Sequence, residues 1–235
     1  MKILLIAGHG QGDPGAVGNG FSEADLTRET VTAISKNLEN YAEVDVFDFG
    51  KNMYQYLKDG NTYPFNNYDY VLEVHFNAFN GSAYGTEVLV HQNEASVSVE
   101  EKILENMALL GFVKRGVKKR SDLLVMNTVK KIYGVSHALL EVCFIDNKGD
   151  MERYQANKEG VFKAIAEGIK SGFGLVPSEE NPPQDRAPLV SANDIVWELS
   201  QWIEITDVAG AVEALDKAKN EESPLYWMLY KIVNR

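Results

Sequence analysis

Apolar residues fall along most of the chain in two patterns: short unbroken runs, and longer stretches with one apolar residue every three or four positions. Ile3 to Ala7 is a run of strand length, and the glycines after it turn the backbone out into a loop. Ser22 stands as an N-cap ahead of Leu26, Thr30, Ile34 and Leu38, so a helix is predicted there with Glu23 in its first turn. EVDVFDF alternates like a strand, and KNMYQYLKDG reads as a short helix closed by Gly60. After the turn-rich NTYPFNNYDY come two strands, YVLEVHFN and TEVLVHQ, separated by the loop AFNGSAYG. A helical pattern from Asn93 to Gly111 carries Val97, Ile103, Leu104, Met107 and Leu110. The basic run VKRGVKKR reads as a solvated loop, with contact to an anionic substrate as the alternative. DLLVMN and HALLEVCF read as the last strands, and KEGVFKAIAEGIKSGF as a closing amphipathic helix. This alternation of strands and helices predicts the α/β class.

The pattern then breaks. VPSEENPPQDRAP holds four of the chain's seven prolines and no apolar period, so 176–188 is read as an extended linker after a first domain over 1–175. Beyond it, Ser191 and Asp194 form a capping pattern before IVWELSQW. DVAGAVEALDKAKN reads as a second helix, and Ser223-Pro224 starts a third, LYWMLYKIVN. Residues 189–235 are therefore expected to be a small all-α module.

Composition narrows the partners. The 235 residues are 45% hydrophobic, which suits a globular core, and carry a formal charge of −11. Such an acidic chain is not built for nucleic acid or an anionic membrane, both of which attract Lys and Arg. No apolar stretch approaches the roughly 18 residues of a membrane span. The opening apolar run is too short for a signal peptide, so synthesis in the cytoplasm is expected. Cys143 is the only cysteine and sits in an apolar strand, where a buried inert thiol is expected rather than a disulfide or nucleophile.

Candidate chemistry lies at the strand ends. His9 follows the first strand, Glu23 begins the first helix, and His75 and Glu141 lie in YVLEVHFN and HALLEVCF. A parallel sheet can gather such positions at one edge. Two imidazoles and a carboxylate suit zinc with one position left for water, as a catalytic site requires. His9, Glu23 and His75 are the candidate ligands, and Glu141 is the candidate general base. His91 and His137 are read as packing or solvent-facing residues. Gly10-Gln11-Gly12-Asp13-Pro14-Gly15 is a literal GxGxxG, but the helix that should follow at once waits until Ser22. No HExxH occurs.

AGHGQGDPGAVG, SEADL, VHFNAFNGSAYGTEVLV and LLEVCFIDNKGD occur in the order and approximate spacing seen in zinc-dependent N-acetylmuramoyl-L-alanine amidases of the Amidase_3 type, and the chain resembles that family over residues 1 to about 175. The resemblance implies a twisted mixed, largely parallel sheet flanked by helices. It also implies that His9, Glu23 and His75 bind one zinc ion and that Glu141 is the catalytic glutamate. One departure is His137-Ala138, where the family pattern has Pro-Ala. The implied activity is hydrolysis of the amide between N-acetylmuramic acid and the first L-alanine of the peptidoglycan stem. A zinc peptidase acting on that stem, or a non-catalytic wall-binding protein, are the alternatives. With its appended module, expected to bind cell wall or else to self-associate, the chain resembles a phage or prophage endolysin, which reaches the wall after phage-type release; an autolysin exported by another route is the alternative.

Overall fold

The computed structural model describes residues 1–177. The module read over 189–235, and nearly all of the linker before it, lie outside the described residues. In chain order the elements are β1 (Lys2–Ala7), β2 (Val17–Gly18), β3 (Phe21–Ser22), α1 (Glu23–Leu38), β4 (Glu43–Val46) and α2 (Met53–Lys58). Then follow β5 (Tyr70–Asn77), β6 (Thr86–His91), α3 (Ser98–Leu109), β7 (Lys114–Arg120), α4 (Leu124–Asn127), β8 (Ser136–Phe144), α5 (Lys148–Ala156) and α6 (Lys158–Phe173). Six strands form one sheet in the order β4-β1-β5-β8-β6-β7, while β2 and β3 make a small hairpin inside the first loop. The pairs from β4 through β8 are parallel, β6 runs antiparallel to β8, and β7 runs parallel to β6. The sheet is mixed and largely parallel, as expected.

Helices cover both faces, which is why the central strands read as unbroken apolar runs rather than alternating ones. Ile3, Leu5, Leu72, Val74, Ala138 and Leu140 pack on one side with residues of α1, α3 and α6. Leu4, Ile6 and Val71 pack on the other with Met53, Val125 and Val129 from the α2 and α4 side. Side chains alternate across a strand, so β5 sends Tyr70, Leu72, Val74 and Phe76 to the first face, and Val71, Glu73 and His75 to the second.

The structure departs from the sequence reading at three elements. The basic run is not a loop but the edge strand β7. Charged side chains suit an edge because they discourage further strand pairing, and they hide the strand from any hydrophobic criterion. Its cations are engaged within the chain: Arg115 and Lys118 with Glu87, Lys114 with Glu101, and Arg120 with Asp122. DLLVMN, read as a strand, contains the helix α4, which continues as one wide turn over Thr128–Ile132. Its buried Val125 and Val129 are four apart, a helical spacing that a short apolar run conceals. The helix α5 has a side-chain cap at Asn147 but only Met151 and Tyr154 as apolar buried residues, too few to announce it.

Candidate metal centre

The site grows from the loop between β1 and α1. Ser22 caps α1, accepting from the Asp25 N–H at 3.3 Å, so Glu23 is held in the first turn, where the helix dipole favours a carboxylate. The loop is clamped back onto this helix. Thr27 Oγ1 donates to the Gly8 carbonyl at 2.9 Å, and Arg28 donates to the carbonyls of Ala24, His9 and Phe49 at 2.8, 3.2 and 3.0 Å. His9 itself takes a positive φ of 64°, which turns its imidazole inward.

The loop thereby meets the end of β5 at Glu23. One oxygen of Glu23, Oε1, lies 2.9 Å from His75 Nδ1 and accepts from the Phe76 N–H at 3.0 Å. The other, Oε2, lies 3.1 Å from His9 Nε2 and accepts from the Ala16 N–H at 2.9 Å. Two glycines leave room for this convergence. A Cβ on Gly8 would sit 2.4 Å from His75 Cε1, and one on Gly15 would sit 2.7 Å from both Glu23 Oε2 and His9 Cδ2.

Each imidazole has a second carboxylate behind it. His9 Nδ1 lies 2.9 Å from Asp13 Oδ2, and Asp13 is itself held by the Asn52 amide at 3.1 Å and the Gly15 N–H at 3.0 Å. His75 Nε2 lies 3.2 Å from Glu73 Oε1. If the far nitrogens donate to Asp13 and Glu73, the near ones turn lone pairs towards the Glu23 carboxylate, which is repulsive unless a cation lies among them or both rings are protonated. The three ligand atoms lie within 4.8 Å of one another, so this donor set fits a small divalent ion with nitrogen and oxygen ligands.

Protonation follows the same geometry. Burial alone would lower both imidazoles, but contacts with Glu23 and Asp13 raise His9, and contacts with Glu23 and Glu73 raise His75 well above the ordinary histidine range. Glu23 is opposed by burial yet held low by the two histidines and the Ala16 N–H.

Glu141 is the register partner of His75 on the neighbouring parallel strand, so it faces the same side of the sheet. Burial pushes its carboxyl up to about 7, with Glu23 and Glu87 adding to the shift and His75 opposing it. Its Oε2 is shut off from solvent without a hydrogen-bond partner. Beside the histidines opens a cleft of about 370 Å³, walled mostly by Met53, Tyr54, Leu123, Leu124, Val125 and Leu139.

The structure therefore brings His9, Glu23 and His75 together and sets Glu141 beside them. His91 stands apart, buried, with Nδ1 accepting from the Asn93 N–H at 3.0 Å. Sequence reading missed Asp13 and Glu73 as partners of the histidines, and it gave His137 no polar partner. Glu73 left a signal: an acid in the middle of an apolar strand, two residues from a histidine and so on its face.

The chain is similar to known proteins in sequence and in fold. Residues 3–171 match the family model described as N-acetylmuramoyl-L-alanine amidase. A probable autolysin of Staphylococcus aureus, PH, is 31% identical over an alignment covering 83% of this chain and 45% of that protein, so the chain spans less than half the length of this relative. The endolysin of Bacillus phage SPP1 is 26% identical, with 82% of this chain and 76% of the endolysin covered. Among solved structures, the catalytic domain of the CD27L endolysin targeting Clostridia difficile superposes with a TM-score of 0.62 at 25% identity, covering 73% of this chain and 97% of that domain.

Proposed function

The chain belongs to the N-acetylmuramoyl-L-alanine amidase family, and we propose that it hydrolyses the amide joining N-acetylmuramic acid to the L-alanine of the peptidoglycan stem peptide. The convergence of two histidines on the two oxygens of Glu23, with the partnerless Glu141 oxygen nearby, carries this reading. His9, Glu23 and His75 would hold one zinc ion. When bound, zinc supplies Lewis acidity, which polarises a carbonyl and makes water a competent nucleophile near neutral pH.

The chain's own residues account for the rest of the chemistry. Glu141, with a proton affinity poised near 7, takes the proton of the attacking water and returns it to the departing alanine amine. Asp13 and Glu73 keep the imidazole rings turned to the site. The apolar side of the cleft offers a surface against which substrate can pack beside the histidines.

Residues 189–235, with Trp197, Trp202 and Trp227, are proposed to hold the enzyme on intact wall. The relatives named endolysin and autolysin support action on the cell wall from within a phage-type or autolytic programme. Among the described residues no helix is long and apolar enough to cross a membrane. Mass spectrometry of purified wall after digestion tests the activity directly. Release of free lactyl ends with new alanine amines is expected. New amines only within the stem would make the protein a peptidase, and no cleavage with retained wall binding would make it a binding protein.

A further inference from the structure

We propose that Glu73 is a positioning residue that fixes the ring of His75 with Nδ1 towards the metal, and that the buried His137 holds Glu73 in place. The inference rests on the zinc reading given above. Glu73 lies in the middle of β5 and is only 6% exposed, between Leu72 and Val74, with Leu139 as its register partner. A carboxylate at such a position costs stability unless it is partnered, and an apolar residue would pack there at no such cost. Its two oxygens face two imidazoles: Oε1 lies 3.2 Å from His75 Nε2, and Oε2 lies 3.4 Å from His137 Nε2.

His137 has no other polar contact among the described residues. It is 1% exposed, and neither ring nitrogen has a hydrogen-bond partner of good geometry. It lies in β8 on the face that Glu73 shares, so its ring stands against the carboxylate. An imidazole ligand is symmetric enough to bind a metal through either nitrogen, and the acceptor behind it decides which. Asp13 does this for His9 from an exposed loop, held by Asn52 and a backbone N–H. Glu73 does it for His75 from inside the sheet, with His137 in the supporting role.

Two measurements on the full chain test this. In the zinc-loaded parent, long-range proton–nitrogen NMR of the imidazoles should show His75 with metal at Nδ1 and a proton on Nε2. Glu73→Leu should bind zinc about 10- to 100-fold more weakly by competition with a chromophoric chelator. The unfolding midpoint of the metal-free variant should equal or exceed the parent's, whereas a merely structural Glu73 would lower the midpoint and leave affinity alone. Zinc bound to His75 Nε2 in the parent, or Glu73→Leu affinity within about twofold of the parent's, overturns the proposal. Should the variant not fold, the parent's nitrogen assignment decides. A parent that binds no zinc refutes the metal reading itself, and this one with it.

Discussion

Gly8→Ala asks whether the space between the first loop and β5 is needed for metal binding. Gly8 does not use a left-handed backbone conformation, so alanine is free of conformational strain there. The added Cβ would instead lie 2.4 Å from His75 Cε1 and 2.6 Å from each ring nitrogen. Ordinary carbon contacts are about 3.5–4.0 Å, so the ring or the loop must retreat by roughly 1 Å. Neither moves cheaply: the ring lies between Glu23 and Glu73, and the loop is tied by the Gly8 N–H to Val74 and by Thr27 to the Gly8 carbonyl. Metal ligands must be placed to within about 0.2 Å, so the displacement acts directly on zinc affinity. Overpacking of this kind costs about 1–3 kcal/mol, which, if expressed in binding, is about a 5- to 160-fold loss of affinity. Gly60→Ala is the control. Gly60 has a φ of +83° and open space around a Cβ, so alanine there should cost about 1–2 kcal/mol of stability through backbone strain alone. Chelator competition and thermal unfolding of the metal-free proteins separate the two effects. Zinc affinity of Gly8→Ala within about twofold of the parent, in a folded protein, would refute the steric reasoning.

Glu141→Gln removes the proton acceptor at nearly constant size, so the variant should keep its zinc and its fold but lose activity on the order of a hundredfold; a zinc-free variant by metal analysis would make Glu141 a ligand instead. Because burial raises the Glu141 carboxyl to about 7 and a base acts only when ionised, the rate should climb through that pH and fall towards tenfold per unit below it, and a flat profile from about pH 5 to 8 would exclude Glu141 as the base. Chelation should abolish wall lysis and added zinc restore it, and full activity in metal-free protein would end the zinc mechanism. A chain ending at Leu175 should stay folded and cleave small soluble wall fragments yet pellet poorly with intact wall; residues 176–235 hold 11 acids and 5 bases, so binding by the full chain should persist in raised salt. If the shortened chain pellets as well as the full one while self-association is lost, the module is an oligomerisation device.

The elements that carry the site were legible because their signals are local. Ile3–Ala7 and Tyr70–Phe76 are apolar enough to be buried strands wherever they pair, and Ser22 caps a helix through a bond to a residue three positions on. β7 and α4 were misread because nothing local distinguishes them. An edge strand needs no apolar face, and four apolar residues in a row suit either a strand or a helix until something covers one side.

For the site the division is sharper. Sequence alone determined the residue types, the loop that must carry His9, and the helix start that must carry Glu23. Only the tertiary structure decided their partners. That both oxygens of Glu23 meet a histidine depends on how α1 crosses the sheet relative to β5, a contact between residues 52 apart in the chain. That Glu141 stands beside His75 depends on the register of β5 against β8, and a slip of one residue would turn its carboxylate to the opposite face. Side chains that gain their partners only through such long-range pairing leave no periodic trace, so Glu73 reads in sequence as an acid inside one apolar strand and His137 as a histidine at the start of another, and they become a pair only when the strands lie side by side.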